Sequence, residues 1–364
     1  MSLVSKLFDA DIGIDLGSSR TRVWIKGKGL VLDEPSVVMT SSGKNNVIAV
    51  GAEVKRVFSD PPDNNIVVHP MKGGIVVDIE LVLPMIMYFI DKACSRSLLG
   101  NLLKKHRRFI ITVPGDITEE EKMVVERAVK LAAWADEKSV EKSMEDVLKH
   151  AEQTKVLFIE KSMAAAIGAG LPVAEPKGCM VVDVGGGTCD VAIISLAGIV
   201  HSHSARGVGG GDMDNAITTY IRDPYHLLVG ERVEEWIKMK IGSAYPTSGN
   251  LEINGRNAAT GMPKSITVTS EEIRDALKVP VNKIVEGVMT TLDRCEPELA
   301  ADLVDSGLVL TGGGALLIGL NRRLADATGL PVRMADDPAH ATIRGVAAVL
   351  DELDFLEHAT QRES

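Results

Sequence analysis

Val181-Val182-Asp183-Val184-Gly185-Gly186-Gly187-Thr188-Cys189-Asp190 decides how this 364-residue chain is read. The apolar residues up to Val184 predict a strand and the glycines a turn, and a second strand begins near Val191. Three consecutive glycines let several backbone N–H groups approach one anion with no Cβ in the way. Thr188 adds a hydroxyl donor, and Asp183 supplies a carboxylate for a hydrated Mg²⁺ beside phosphates. By itself the segment fits an ordinary tight turn equally well.

The same plan recurs in Asp11-Ile12-Gly13-Ile14-Asp15-Leu16-Gly17-Ser18-Ser19-Arg20-Thr21-Arg22-Val23-Trp24-Ile25. Here Asp15 closes an apolar strand, and Gly17, Ser18 and Ser19 turn the chain. Two such hairpins, one per half, predict a clamp on a polyphosphate with one metal between Asp15 and Asp183, held through water. Two unrelated hairpins are the alternative reading. A third cluster, Val309-Leu310-Thr311-Gly312-Gly313-Gly314-Ala315-Leu316, follows another apolar strand. Gly312, Gly313, Gly314, Ala315 and Leu316 lead toward a predicted helix from about Ile318 to Ala325, whose amides would meet the sugar or α-phosphate.

In this order the three elements resemble the actin/Hsp70/sugar-kinase ATPase superfamily. Further blocks resemble the bacterial actin MreB: Asp33-Glu34-Pro35-Ser36-Val37-Val38, His69-Pro70-Met71-Lys72-Gly73-Gly74, Met163-Ala164-Ala165-Ala166-Ile167-Gly168-Ala169-Gly170-Leu171-Pro172 and Ile241-Gly242-Ser243-Ala244-Tyr245-Pro246. The resemblance runs from about Asp11 to Leu350. It implies an α/β actin-like ATPase fold of two lobes, each an RNase H-like mixed sheet flanked by helices, with nucleotide in the cleft. Lobe I is expected at 1–160 and 341–364, with a small subdomain near 33–72. Lobe II is expected at 161–340, with a small subdomain near 216–272.

The resemblance also assigns chemistry. Glu160, in Phe158-Ile159-Glu160-Lys161-Ser162-Met163, stands where relatives carry the water-positioning acid. A helix N-terminal carboxylate favoured by the macrodipole is the plainer reading. Relatives follow that residue with a second acid and a proline; Lys161 and Ser162 replace them here, which leaves slower or altered hydrolysis open. Arg20 stands where relatives often carry a small polar residue and adds a positive charge near the phosphates. The turn Gly207-Val208-Gly209-Gly210-Gly211-Asp212-Met213-Asp214 keeps its glycines but carries its acid one position late. Glu235 and Lys238 fall where relatives flank the adenine and ribose; an exposed salt-bridged pair on one helical face is the alternative.

Composition agrees with such a protein. With 45% hydrophobic and 25% charged residues the chain can bury a sizeable core in two lobes. A net charge of −10 argues against broad nucleic-acid binding, which needs a basic face. No apolar run approaches the roughly 18 residues of a spanning helix, and no signal-peptide pattern is seen. The four cysteines, Cys94, Cys179, Cys189 and Cys295, form no CxxC pair and read as reduced thiols in a cytoplasmic protein. Modification of Cys189 would block nucleotide unless that thiol is simply a small buried strand residue.

Two segments read as lipid contacts. Met1-Ser2-Leu3-Val4-Ser5-Lys6-Leu7-Phe8 places Leu3, Val4, Leu7 and Phe8 along one helical face. Leu98, Leu99, Leu102 and Leu103 precede the basic run Lys104-Lys105-His106-Arg107-Arg108, which suits anionic headgroups. Leucines capping a core behind a solvated basic face are the alternative. The charged, helix-favouring segment 132–153 exceeds what relatives carry, and either alters protofilament pairing or is a neutral surface insertion. The family reading is an ATP- and Mg²⁺-binding, slowly hydrolysing filament protein, peripheral on the inner membrane, self-paired and working with cell-wall elongation membrane proteins. A small-molecule kinase or a plasmid-segregating actin on the same fold is the alternative.

Overall fold

The computed structural model describes residues 11–41, 46–57, 65–95, 108–134 and 154–360. Both lipid-contact segments, Leu3–Phe8 and Leu98–Leu103, and all but the first few residues of 132–153 lie outside them. Contacts divide the chain into two units. One takes the described residues up to Gly168 and from Thr342 onward, and the other is Ala169–Ala341.

The first unit is built on Ile12–Leu16, whose five residues are all buried. Burial of successive residues, pointing to both faces, suits a strand covered on both sides. Arg20–Ile25 and Gly29–Pro35 follow it as an antiparallel meander, and Arg108–Val113 and Lys155–Glu160 add on its other side in parallel. Arg20–Ile25 alternates, with Thr21, Val23 and Ile25 turned inward, as a period-two strand requires. One face packs on the helices Ile79–Ser95 and Glu119–Trp134 through Met85, Phe89, Phe109 and Val129. Thr118 and Glu121 cap the second helix reciprocally, as their spacing predicts.

The opposite face of that sheet packs on Ala341–Thr360 through Ile110, Ala164, Ile343, Val346 and Leu350. Here the boundary differs from the expected break at 160–161. The helix Lys161–Gly168 belongs to the first unit because Ala164 lies against Gly345. A Cβ added at Gly345 would stand 1.8 Å from the Ala164 carbonyl oxygen. Val38–Ser41, Val47–Val50 and Asn65–Val68 form a separate three-stranded sheet within this unit.

The second unit repeats the sheet. Cys179–Val184 lies at its centre, with Thr188–Ser195 and Gly198–Arg206 antiparallel on one side. Leu308–Thr311 and Val332–Met334 run parallel on the other. Strand order, direction and connectivity match the first unit's sheet element for element, which supports the duplication that the paired hairpins suggest. Its core gathers Met180, Ile193, Met213, Ile217, Ile221, Ile284 and Val288. Burying each such side chain contributes about 1.5–3 kcal/mol. A smaller sheet of Leu227–Leu228, Asn250–Asn257 and Pro263–Thr269 leads to Ser270–Ala276, whose capping box pairs Thr269 with Glu272.

One predicted helix is displaced. A 3₁₀ turn, Gly313–Leu316, follows the third glycine cluster, and the α-helix runs from Leu320 to Thr328. It starts later than Ile318 because Gly319 takes φ +74° and is wedged against Tyr245, where a Cβ would stand 2.4 Å away. The helical path is interrupted at that left-handed residue.

Candidate functional site

In the first unit, Asp15, Thr112 and Glu160 come from three neighbouring parallel strands and lie at their carboxyl ends. In open α/β sheets this edge is where ligands bind. Asp15 is 6% exposed and receives the Thr112 hydroxyl at 2.9 Å. Arg22, its cross-strand partner, reaches the other carboxylate oxygen at 3.3 Å. Glu160 closes its strand opposite Val113 and directly precedes the helix Lys161–Gly168, in which Lys161 is buried.

The turn after Asp15 is fixed from several sides. The Gly17 N–H donates to the Arg20 carbonyl at 3.2 Å, and a Cβ at Gly17 would stand 2.6 Å from that oxygen. The Ser36 hydroxyl donates to the Gly17 carbonyl at 2.6 Å, and the Ser36 N–H to that of Ser19 at 3.0 Å. Ser18 Oγ accepts the Gly74 N–H at 2.9 Å, which leaves its hydroxyl proton directed elsewhere. This ties the Lys72-Gly73-Gly74 segment to the turn. Arg20 lies along the sheet: its Nε meets Asp33 Oδ1 at 2.6 Å and its Nη2 the Asp33 carbonyl at 2.8 Å.

The second unit shows the same device. Asp183 is 4% exposed and pairs in register with Thr311 of the adjacent parallel strand, whose hydroxyl donates to it at 3.0 Å. Thr112 and Thr311 are thus equivalent holders of the two aspartates, and neither was singled out from the sequence. Their shared signal is legible in hindsight: a threonine at or next to the end of an apolar strand, with a glycine within three residues, Thr112-Val113-Pro114-Gly115 and Thr311-Gly312. Gly312 has φ +82°, and a Cβ there would stand 2.3 Å from the Val184 carbonyl and 2.7 Å from Asp183 Oδ1. The same test at Gly313 meets nothing within 4 Å. Ala315 is buried and Leu316 is exposed.

The turn Gly185-Gly186-Gly187 is closed by the Gly185 N–H on the Thr188 carbonyl at 2.8 Å. Behind it stands the helix Gly210–Tyr225, whose Gly210 and Gly211 amides donate to Gly185 O at 2.9 Å and Gly186 O at 2.8 Å. Thr188 is buried at the start of its strand. The Cys189 thiol is buried and held well above its ordinary pKa by that burial, with Asp190 and Asp183 adding to the shift. It is an inert strand residue, as the plainer reading had it.

On Glu231–Ile241, Glu235 is exposed, while Lys238 turns to the glycine-led helix. Lys238 Nζ donates to the Gly210 carbonyl at 2.9 Å and to Asp214 Oδ2 at 2.8 Å. The Asp214 carboxyl is pushed up to about 6, chiefly by burial; Lys238 opposes the shift, and Glu235 and Glu234 add to it.

Among the described residues no three His, Cys, Asp or Glu side chains gather into a metal cage, and no helix is long and apolar enough to cross a membrane. Each unit thus offers one anchored, buried carboxylate, the hard oxygen donor that Mg²⁺ takes together with waters and substrate phosphates.

Comparison with known proteins agrees with this geometry. The family model described as MreB/Mbl protein matches residues 9–141 and 132–358. The cell shape-determining protein MreB of Escherichia coli K12 is 41% identical over 355 residues, covering 96% of this chain and 95% of that one. The cell shape-determining protein Mbl of Bacillus cereus is 40% identical over 353 residues, covering 96% and 98%. Among solved structures, MreB5 of Spiroplasma citri bound to AMPPNP superposes with a TM-score of 0.82 at 28% identity, covering 98% of this chain and 99% of that one. The MamK double helical filament, at a TM-score of 0.74 and 19% identity, covers 94% and 99% and shares the fold. With relatives of this similarity over nearly its whole length, and an actin-like fold, this chain belongs to the MreB/Mbl family.

Proposed function

We propose that the chain is an ATP-binding, filament-forming bacterial actin that scaffolds cell-wall elongation and so sets rod shape. The repeated Asp–Thr pair across parallel strands, Asp15 with Thr112 and Asp183 with Thr311, carries this reading. It supplies two anchored carboxylates, each beside a glycine turn able to receive phosphate. The relatives are named as cell shape-determining proteins, and two structures of MreB5 of Spiroplasma citri are bound to AMPPNP and to ADP, which supports a nucleotide at these turns.

Asp15 and Asp183 hold Mg²⁺ through water, and Gly17, Ser18, Ser19, Gly185, Gly186, Gly187 and Thr188 receive the phosphates. Gly312, Gly313, Gly314, Ala315 and Leu316 approach the sugar side. The metal, when bound, neutralises charge on the transferred phosphoryl group. Glu160 orients the attacking water, and Thr188 offers its hydroxyl as a donor to phosphate; positioning and charge neutralisation are most of what this reaction needs. Arg20 reaches a phosphate only by leaving Asp33. Hydrolysis then remodels the filament. Subunits lie on the anionic inner membrane face through Leu3, Val4, Leu7, Phe8, Leu98, Leu99, Leu102 and Leu103, each weakly and the filament firmly. Elongation-machinery membrane proteins are the expected partners.

Sedimentation of the purified chain with ATP–Mg²⁺, with and without anionic liposomes, followed by negative-stain imaging, tests this. Filaments that pellet and coat liposomes support it. A protein that stays monomeric and phosphorylates a sugar would replace it with the kinase reading.

A further inference from the structure

The first-turn amides of a helix need an acceptor, usually a capping side chain. The helix Gly210–Tyr225 has no side-chain cap at Gly209. Its Gly210 and Gly211 N–H groups hold the Gly185 and Gly186 carbonyls. A trans peptide points its C=O and N–H in opposite directions. Drawing these two carbonyls toward the helix therefore turns the Gly186 and Gly187 N–H groups away from it, to the outer side of the glycine turn.

Lys238 acts on the same element. Its ammonium donates to the Gly210 carbonyl, whose peptide carries the Gly211 N–H that holds Gly186 O. Hydrogen bonds in series polarise one another. The series runs from Asp214 through Lys238 and the Gly210–Gly211 peptide to the Gly186–Gly187 peptide, and ends at the Gly187 N–H. An ammonium beside a helix N-terminus is disfavoured by the macrodipole, and the Asp214 carboxylate at 2.8 Å is what holds it there.

We propose that Asp214 is a positioning residue for phosphate binding, acting through Lys238 to fix and polarise the outward N–H groups of Gly186 and Gly187. The inference rests on the nucleotide reading above. Two observations support it independently of the series itself. Asp214 Oδ1 is buried with no hydrogen-bond partner among the described residues, and burial raises the carboxyl to about 6. Glu234, Glu235 and Lys238 on the facing helix are the charged groups that act on it. The fold thus keeps an ill-solvated carboxylate beside the glycine turn, the mark of a group retained for a task other than stability.

The test uses the full-length chain and its Asp214→Asn, Lys238→Met, Lys238→Arg and double Asp214→Asn/Lys238→Met variants. Affinity for a fluorescent ATP analogue with Mg²⁺ and the nucleotide-free melting temperature are both read at pH 7.5. Asp214→Asn is expected to weaken binding roughly tenfold, the size of one good hydrogen bond lost, while its melting temperature holds or rises. Lys238→Met weakens binding at least as much, the double variant no further than Lys238→Met alone, and Lys238→Arg restores most of the affinity. A fall of affinity and melting temperature together in Asp214→Asn would overturn the proposal, since a merely structural carboxylate would act that way. So would wild-type affinity in Asp214→Asn, or independent losses multiplying in the double variant. A wild-type chain that binds no nucleotide would sink the function itself, whereas a binding wild type beside an unaffected Asp214→Asn sinks only the relay.

Discussion

Replacing Gly209 by alanine tests the seat of the glycine turn with little else changed. The residue has φ −179°, an extended backbone open to any side chain, so the substitution carries no dihedral penalty. The added Cβ would stand 2.7 Å from the Gly185 carbonyl oxygen, 2.8 Å from the Gly186 carbonyl carbon and 2.9 Å from its oxygen. All three are backbone atoms of the phosphate turn and cannot swing aside as a flexible side chain would. Overpacking costs about 1–3 kcal/mol, and the Gly210 and Gly211 hydrogen bonds that must lengthen add about 0.5–1.5 each if lost. A total of roughly 2–6 kcal/mol lowers Tm by roughly 4–24 °C in a unit of this size, at about 2–4 °C per kcal/mol. Thermal unfolding of Gly209→Ala without nucleotide reads this directly, with Gly198→Ala as control, because its Cβ meets nothing closer than 3.6 Å. If both variants melt within 2 °C of wild type, the helix does not seat on the turn as described, and the argument fails.

Removing the hydroxyl by Thr112→Val or Thr311→Val leaves Asp15 or Asp183 buried with one fewer donor, a loss of about 1–3 kcal/mol. Calorimetric unfolding should show it in both variants, and an effect at only one site would break the equivalence of the two hairpins. The raised Asp214 carboxyl makes stability depend on pH with a definite sign. Its folded pKa, about 6, lies above that of a free aspartate, so its contribution is full below the free value and lost as pH rises through 6. Melting temperatures from pH 4 to 7.5 should therefore fall less steeply in Asp214→Asn than in wild type; identical slopes would contradict the burial argument. Thr269→Ala removes the hydroxyl half of a capping box and should cost about 1 kcal/mol. Hydrogen exchange at Glu271 and Glu272 would rise with it, and unchanged protection there would count against the cap.

Much of this protein is local and was therefore legible. Aspartate at a strand end followed by glycine, the capping boxes at Thr118 and Thr269, and the period-two pattern of Arg20–Ile25 act over a few residues and need no knowledge of what packs nearby. They located both hairpins and the alternation behind the paired sheets. Side-chain partners were a different matter. The threonines that hold the aspartates lie 97 and 128 residues away in sequence. Only the parallel register of neighbouring strands brings them within a hydrogen bond. Arg20 reads as a phosphate contact until Gly29–Pro35 pairs beside it and offers Asp33. Lys238 reads as a flank of the adenine and ribose, or as half of a surface pair, and its partners Asp214 and Gly210 emerge only once its helix is packed. Charge and chain direction could be written down from the residues, but which opposite charge stands within 3 Å is settled by packing, since an ion pair forms with whatever the fold places in reach. The late start of the Leu320 helix has the same cause: Gly319 permits a left-handed turn, and Tyr245, 74 residues upstream, leaves room for nothing larger.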